Sequence, residues 1–149
     1  MKLATAPADY SSIEKMQIEV PSGLLGLGHL RRFELTFIEG GLPFVAMKSL
    51  GDDELHFLAI DPRGAIMGYE IEIADPDVEA LGLENENDAL VYNIATFHSA
   101  QPQYVTVNLI GPVVVNRRTL IGKQVIIANS DEFSTMHALI DERRNANAA

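Results

Sequence analysis

The stretch 104–127, YVTVNLIGPVVVNRRTLIGKQVII, restricts what this chain can fold into more than any other. Over 104–109, apolar Val105, Val107 and Leu109 alternate with Thr106 and Asn108, which sends successive side chains to opposite faces and predicts a half-buried strand. Gly111-Pro112 then breaks the ladder, because proline has no N–H to donate and pushes the residue before it out of the α region. Residues 113–115 are a β-branched run, Asn116-Arg117-Arg118-Thr119 is turn chemistry, and 123–127 after Gly122 read as a returning strand. The unit predicted is strand, kink, strand, turn, strand.

The same alternation recurs upstream. Residues 13–20 place Met16, Ile18 and Val20 on one face, and 33–38 place Phe33, Leu35 and Phe37 together. Further strands are expected over 44–50, 55–60 and 69–73, with turns at Gly40-Gly41 and at Gly51-Asp52-Asp53. Residues 89–97, ALVYNIATF, are largely apolar on both faces and predict a central strand. One helix is predicted over 75–82, with Asp75 as N-cap, Pro76 in the first turn, Asp77 and Glu79 near the positive end of the dipole, and Gly82 as the left-handed stop. So short a helix is marginal alone, so Val78 and Leu81 must pack on the sheet.

Asn129-Ser130-Asp131 reads as a cap for a short C-terminal helical segment over 132–140. Strands recurring at a spacing of about ten residues, with one short helix, predict a mainly β fold: a small antiparallel β-barrel-like single domain. It is expected to occupy residues 13–140, between a loose start over 1–12 and a loose tail over 141–149.

Charge and composition narrow the function. Net charge is −10, from 21 acidic against 11 basic residues, which opposes direct binding to nucleic acid and suits a basic protein partner. The absence of cysteine removes disulfides, thiol nucleophiles and cysteine-ligated zinc, and makes a reducing cytoplasm the expected compartment. No secretory leader pattern is visible and no run approaches the length of a membrane span, so no membrane association is expected.

No residue set in the sequence has the spacing of a reactive centre. His29, His56, His98 and His137 are scattered, with no HxH or HExxH pattern. The loop 21–28 is GxxGxG rather than a dinucleotide fingerprint, and the Gly122-Lys123 pair lacks the upstream glycine and the following hydroxyl of a phosphate loop. Asp52, Asp53 and Glu54 fit a solvated hairpin turn better than a calcium loop. No catalytic residue, metal or cofactor is expected. Asp52, Asp53, Glu54, Glu84 and Glu86 are candidates for steering a basic partner, while an apolar patch would supply affinity. Asn108, Asn116 and Thr106 are open to two readings, as contact residues or as side chains securing a bulge or turn.

Six blocks, in order, resemble one known family. They are Gly23-Leu24-Leu25-Gly26-Leu27 with Arg32-Phe33; Pro43-Phe44 with Ser49-Leu50; Leu58-Ala59-Ile60-Asp61-Pro62; Ala80-Leu81-Gly82-Leu83 with Asp88-Ala89; the central stretch; and Phe133-Ser134-Thr135 near the end. Within the central stretch, Thr106-Val107-Asn108-Leu109, Pro112-Val113-Val114-Val115-Asn116 and Gly122-Lys123-Gln124-Val125 are similar to the signature of the bacterial flagellar assembly factor family FliW. Gly23, Gly26, Asp61, Pro62, Gly111, Pro112 and Gly122 belong to these blocks and are expected to be structural. The chain departs from the family at 63–69, where an aromatic-rich segment is replaced by RGAIMGY, and at Met136 and Ala138.

The resemblance implies a non-enzymatic, monomeric regulator of flagellar assembly. Such a protein would bind CsrA, a small RNA-binding translational repressor, and relieve its block on flagellin synthesis; it would also bind flagellin, so that the two partners switch. The alternatives are a chaperone that holds flagellin alone, and a small-molecule-binding or hydrolytic β-barrel.

Overall fold

A computed structural model describes residues 1–4, 15–37, 43–51 and 54–143. Its strands are β1 (Lys2–Ala4), β2 (Lys15–Glu19), β3 (Arg32–Phe37), β4 (Phe44–Ser49), β5 (His56–Ile60), β6 (Glu70–Glu72), β7 (Ala89–Ala100), β8 (Gln103–Val107), β9 (Val113–Asn116), β10 (Gly122–Gln124) and β11 (His137–Asp141). Helix α1 (Asp75–Leu81) follows β6, and single 3-10 turns occupy Glu86–Asp88 and Ser130–Glu132.

Every strand pair is antiparallel. The main sheet runs β10-β9-β7-β5-β4-β3-β2, and β8 leaves β7 to carry β11. The sheet curls until Glu19 N–H donates to the Leu120 carbonyl at 3.0 Å, making a single parallel bridge between Glu19 and Ile121. No ladder extends that bridge, so the structure is barrel-like without being a closed barrel.

Two cores result. Inside the curl pack Met16, Ile18, Val20, Phe33, Leu35, Val45, Met47, Ala59, Tyr92, Val113 and Val115, in the alternation the sequence predicts. On the other face of β5, β7 and β9 lie Ile60, Val91, Ala95 and Val114, covered by Leu3, Tyr69, Ile71, Ile73, Leu81, Val105, Val107, Val125 and Ile127. The central position expected of β7 is realised, since it pairs with β5, β8 and β9 and feeds both cores. Val78 and Leu81 hold α1 on the outer core, as a two-turn helix requires. Gly82 ends the helix at φ 66°, and its N–H reaches the Glu79 carbonyl.

Four expectations are corrected. Asp75 is not the N-cap: Ala74 holds that place without a side-chain cap bond, and Asp75 is the first helical residue. The segment over 132–140 is not helical, because only Ser130–Glu132 makes a 3-10 turn before β11 takes the open edge of β8 and part-buries Leu139 and Ile140. The start is not wholly loose, since Lys2–Ala4 pairs with β6; residues 5–12 lie outside those described. The ladder of β10 stops at Gln124, although Val125 N–H and Ile127 N–H still bond to the Pro112 and Ile110 carbonyls. The Gly40-Gly41 turn and residues 144–149 of the tail also lie outside the described residues.

Candidate interaction surfaces

The loop 61–69, where the chain departs from the family pattern, is tied down at both ends. Asp61 is 1% exposed and accepts from the Arg63 backbone N–H at 3.0 Å and from the Arg63 guanidinium at 2.5–3.1 Å. The Pro62 carbonyl accepts from Ala65 and Ile66 N–H at 3.0 Å, and Ile66 is buried. Tyr69, 2% exposed, donates its hydroxyl to the Leu109 carbonyl at 2.5 Å and accepts from Asn93 Nδ2 at 2.9 Å. Burial pushes the Tyr69 hydroxyl up to about 12, against the opposing pull of the Asn93 bond. Between these anchors Met67 is 97% exposed.

An open groove of about 450 Å³, which Gly68 at the end of this loop reaches, is lined by Lys2, Gly68, Glu70, Ile71, Glu72, Asn129, Glu132 and Phe133. It lies over the outward face of the β1–β6 ribbon, whose Leu3 and Ile71 side chains point into the outer core. Asn129 closes the other edge of β6: its Oδ1 accepts from Glu72 N–H at 2.9 Å and its Nδ2 donates to the Glu70 carbonyl at 2.9 Å and to Glu132 Oε2 at 2.7 Å. Phe133 meets Tyr69 edge to face at 5.0 Å, joining the groove wall to the buried polar pair.

The acidic candidates sit apart from this groove. Asp52 and Asp53 lie outside the described residues. Glu54 is exposed and bonds Lys48 Nζ at 2.9 Å; that hydrogen bond and charge hold its carboxyl below the usual range. Glu84 and Glu86 are exposed on the connection after α1, with Glu84 3.8 Å from Arg118. Asp88 in the same turn is buried, accepts from Glu84 and Asn85 N–H, and is held low by those N–H groups and by Arg118.

Both asparagines are engaged within the fold. Asn108 Oδ1 accepts from Ile110 and Gly111 N–H at 3.0 and 2.9 Å, shaping the kink before Pro112. Asn116 is 1% exposed; its Nδ2 donates to the Leu81 carbonyl at 2.9 Å and its Oδ1 accepts from Arg118 N–H at 2.9 Å, tying α1 to the turn after β9. Thr106 is buried, with Oγ1 2.7 Å from His98 Nε2. Of the glycine and proline set, Gly23 has the strictest requirement, since a Cβ there would meet the Gly28 backbone at 2.5 Å. Gly111, Pro112 and Gly122 are buried around the kink and the start of β10, and Gly26 is exposed on its loop. Among the described residues no three His, Asp or Glu side chains come together as metal ligands, and no helix is long and apolar enough to cross a membrane.

Sequence reasoning placed β6 within the strand expected over 69–73 but missed its partner β1, the exposure of Met67 and the bonds of Asn129 to β6. Only one signal pointed there, an apolar residue between Gly64 and Gly68 in a loop that departs from the family.

The family model described as FliW protein matches residues 4–139. The chain is 36% identical over 129 residues to a flagellar assembly factor FliW of Clostridium novyi (strain NT), covering 87% of this chain and 89% of that protein. With the flagellar assembly factor FliW of Thermosipho africanus (strain TCF52B) it shares 32% identity over 139 residues, 93% of this chain and 95% of the other. A crystal structure of the flagellar assembly factor FliW superposes with a TM-score of 0.75 at 29% identity, covering 96% of this chain and 99% of that one.

Proposed function

The chain belongs to the FliW family of flagellar assembly factors, and from that premise we infer that it works in the cytoplasm as a monomeric binding protein. It holds the translational repressor CsrA, which frees flagellin synthesis from repression, and it also binds flagellin, so that one partner displaces the other. The observation that carries this reading is the match over residues 4–139, nearly the whole chain, together with a fold neighbour covered almost end to end. A net charge of −10 adds support, because it raises encounter rates with a basic partner. Glu54, exposed before β5, and Glu84 and Glu86, exposed on the connection after α1, are the carboxylates we assign to that steering.

Size-exclusion chromatography of the chain with CsrA and with flagellin, singly and together, tests the reading. The expected result is a complex with each partner alone and no ternary peak with both. Co-elution with flagellin but never with CsrA would instead establish a flagellin-only chaperone. Steering requires the CsrA association rate to fall steeply with salt; a flat dependence between low and high ionic strength removes the acidic residues from the mechanism.

A further inference from the structure

We propose that the surface where loop 21–28 meets β10 and the residues continuing it is a docking site for a protein segment that carries aliphatic side chains beside aspartate or glutamate. This goes beyond the function above, whose steering carboxylates face a basic partner; the present surface suits an acidic one.

Three observations carry it. First, Leu25 and Ile126 are 57% and 53% exposed and both adjoin Gln124. The Leu25 N–H donates to Gln124 Oε1 at 2.9 Å, and Ile126 shares the face of Gln124, because Val125 and Ile127 turn into the outer core. Two large aliphatic side chains are thus held in water around one glutamine.

Second, the backbone that presents them is fixed. Leu24 is buried in the inner core, Gly23 lies so close to Gly28 that a Cβ would meet its backbone at 2.5 Å, and Leu27 N–H donates to the Leu24 carbonyl at 2.9 Å. On either side of Ile126, the Val125 and Ile127 N–H groups donate to the Pro112 and Ile110 carbonyls at 2.9 and 3.1 Å. Gln124 Nε2 donates to the Gly111 carbonyl at 3.0 Å, so both ends of its amide are engaged. Side chains on so fixed a backbone lose little conformational freedom when covered, which is what an anchor position needs.

Third, the surface lacks carboxylates in a chain of net charge −10. None of the 21 acidic residues falls within 20–33 or 89–130, the two stretches that meet here. Arg31, whose Nε donates to the Gly28 carbonyl at 3.4 Å, is exposed at the foot of the loop and makes no ion pair among the described residues. Arg32, opposite Glu19 in the β2–β3 ladder, is likewise exposed and outside any ion pair. Fixed aliphatic anchors beside guanidinium groups complement a segment that carries apolar side chains and the reverse charge. Salt at 0.1 M screens exposed charges beyond about 10 Å, which leaves the local arginines to act on a docked segment. Aliphatic anchors give the bases of a nucleic acid no aromatic ring to stack on.

Chemical-shift mapping on the full chain tests this, with a short peptide of alternating leucine and glutamate as probe and a leucine–lysine peptide and a uridine oligonucleotide as controls. Saturable shifts at Leu25, Gly26, Gln124 and Ile126 are expected with the leucine–glutamate peptide alone. Affinity should drop about tenfold or more in the double variant Leu25→Ser/Ile126→Ser and about threefold in Arg31→Ser, as for one exposed charge. It should stay unchanged in Met67→Ser, which alters an exposed apolar residue on another loop. All four side chains are exposed, so the substitutions leave both cores and the Leu25 N–H bond in place. Shifts centred elsewhere, a leucine–lysine peptide bound as tightly, an oligonucleotide bound at the same residues, no binding of any probe, or affinity that survives the double variant or Arg31→Ser overturns the proposal. Neither CsrA nor flagellin enters this test, so its outcome is separate from that of the proposed function.

Discussion

The two faces of the curled sheet are stabilised by different means. Inside the curl, strands that are neighbours in sequence are neighbours in space, β2 through β5 pairing in a simple meander, and the core is almost entirely aliphatic and aromatic. Outside it, the covering layer is gathered from distant parts of the chain: Lys2 beside Glu72, Asn129 against β6, β11 on β8. That layer also contains buried polar groups, with the Tyr69 hydroxyl, Asn93 and the Leu109 carbonyl bonded among apolar neighbours. Apolar burial alone does not specify which distant segments meet, because any hydrophobic surface covers another. Directional hydrogen bonds do, since a mismatched pairing would leave buried donors and acceptors unsatisfied.

The comparison predicts different costs on the two sides. Phe33 is fully buried in the inner core and meets Phe57 edge to face at 6.4 Å. Phe33→Ala should destabilise by about 3–5 kcal/mol, the lost transfer energy plus the cavity left behind. Urea unfolding checks this; a loss below about 1.5 kcal/mol would mean the inner core collapses onto the gap and is not close-packed. This side of the molecule was the legible one. Its burial follows alternation within single strands, Met16-Ile18-Val20 and Phe33-Leu35, and such periodicity needs no knowledge of partners.

The outer layer should show its polar content as pH dependence. Folding raises Tyr69 from its ordinary pKa of 10.0 to about 12. Its preference for the neutral form is therefore satisfied in full below pH 10 and is lost as pH rises toward 12. The loss amounts to about 2–3 kcal/mol across that window. Tyr69→Phe should remove this alkaline limb while costing about 1–3 kcal/mol at neutral pH, because the Leu109 carbonyl loses its donor. An unchanged alkaline limb in that variant would show that other groups cause it and that the buried bond does not distinguish the two faces.

The outer layer was the less legible one, for the same physical reason. Nothing near Lys2 marks it as a strand, because its partner lies at Glu72. Asn129-Ser130-Asp131 suggested a helix cap, and locally it does start a 3-10 turn; the open edge of β8 then decided the segment in favour of β11. Exposure of Glu54, Glu84 and Glu86 agrees with turn chemistry, while Asn116 is an internal tie between α1 and β9, its two roles being indistinguishable until its partners Leu81 and Arg118 are placed.

The smallest effects should come from charges, and they sharpen the contrast between an interior group and a surface one. Asp88 and Glu54 are both carboxylates held below their usual range, and both lose their stabilising share as pH falls through the folded value. Their surroundings differ. The Asp88 side chain is only 11% exposed and accepts two backbone N–H bonds that no water replaces easily, so Asp88→Asn should lower the melting temperature and shorten the acid limb. Glu54 is 57% exposed, its partner Lys48 is 40% exposed, and solvent screens such a pair almost completely. Glu54→Gln should therefore melt with the unmodified protein at every pH. Melting curves from neutral pH down to the acid transition decide it: if the two variants fall together, an exposed strand-to-turn pair matters as much as a buried cap, and position rather than burial would have to govern how this fold uses charge.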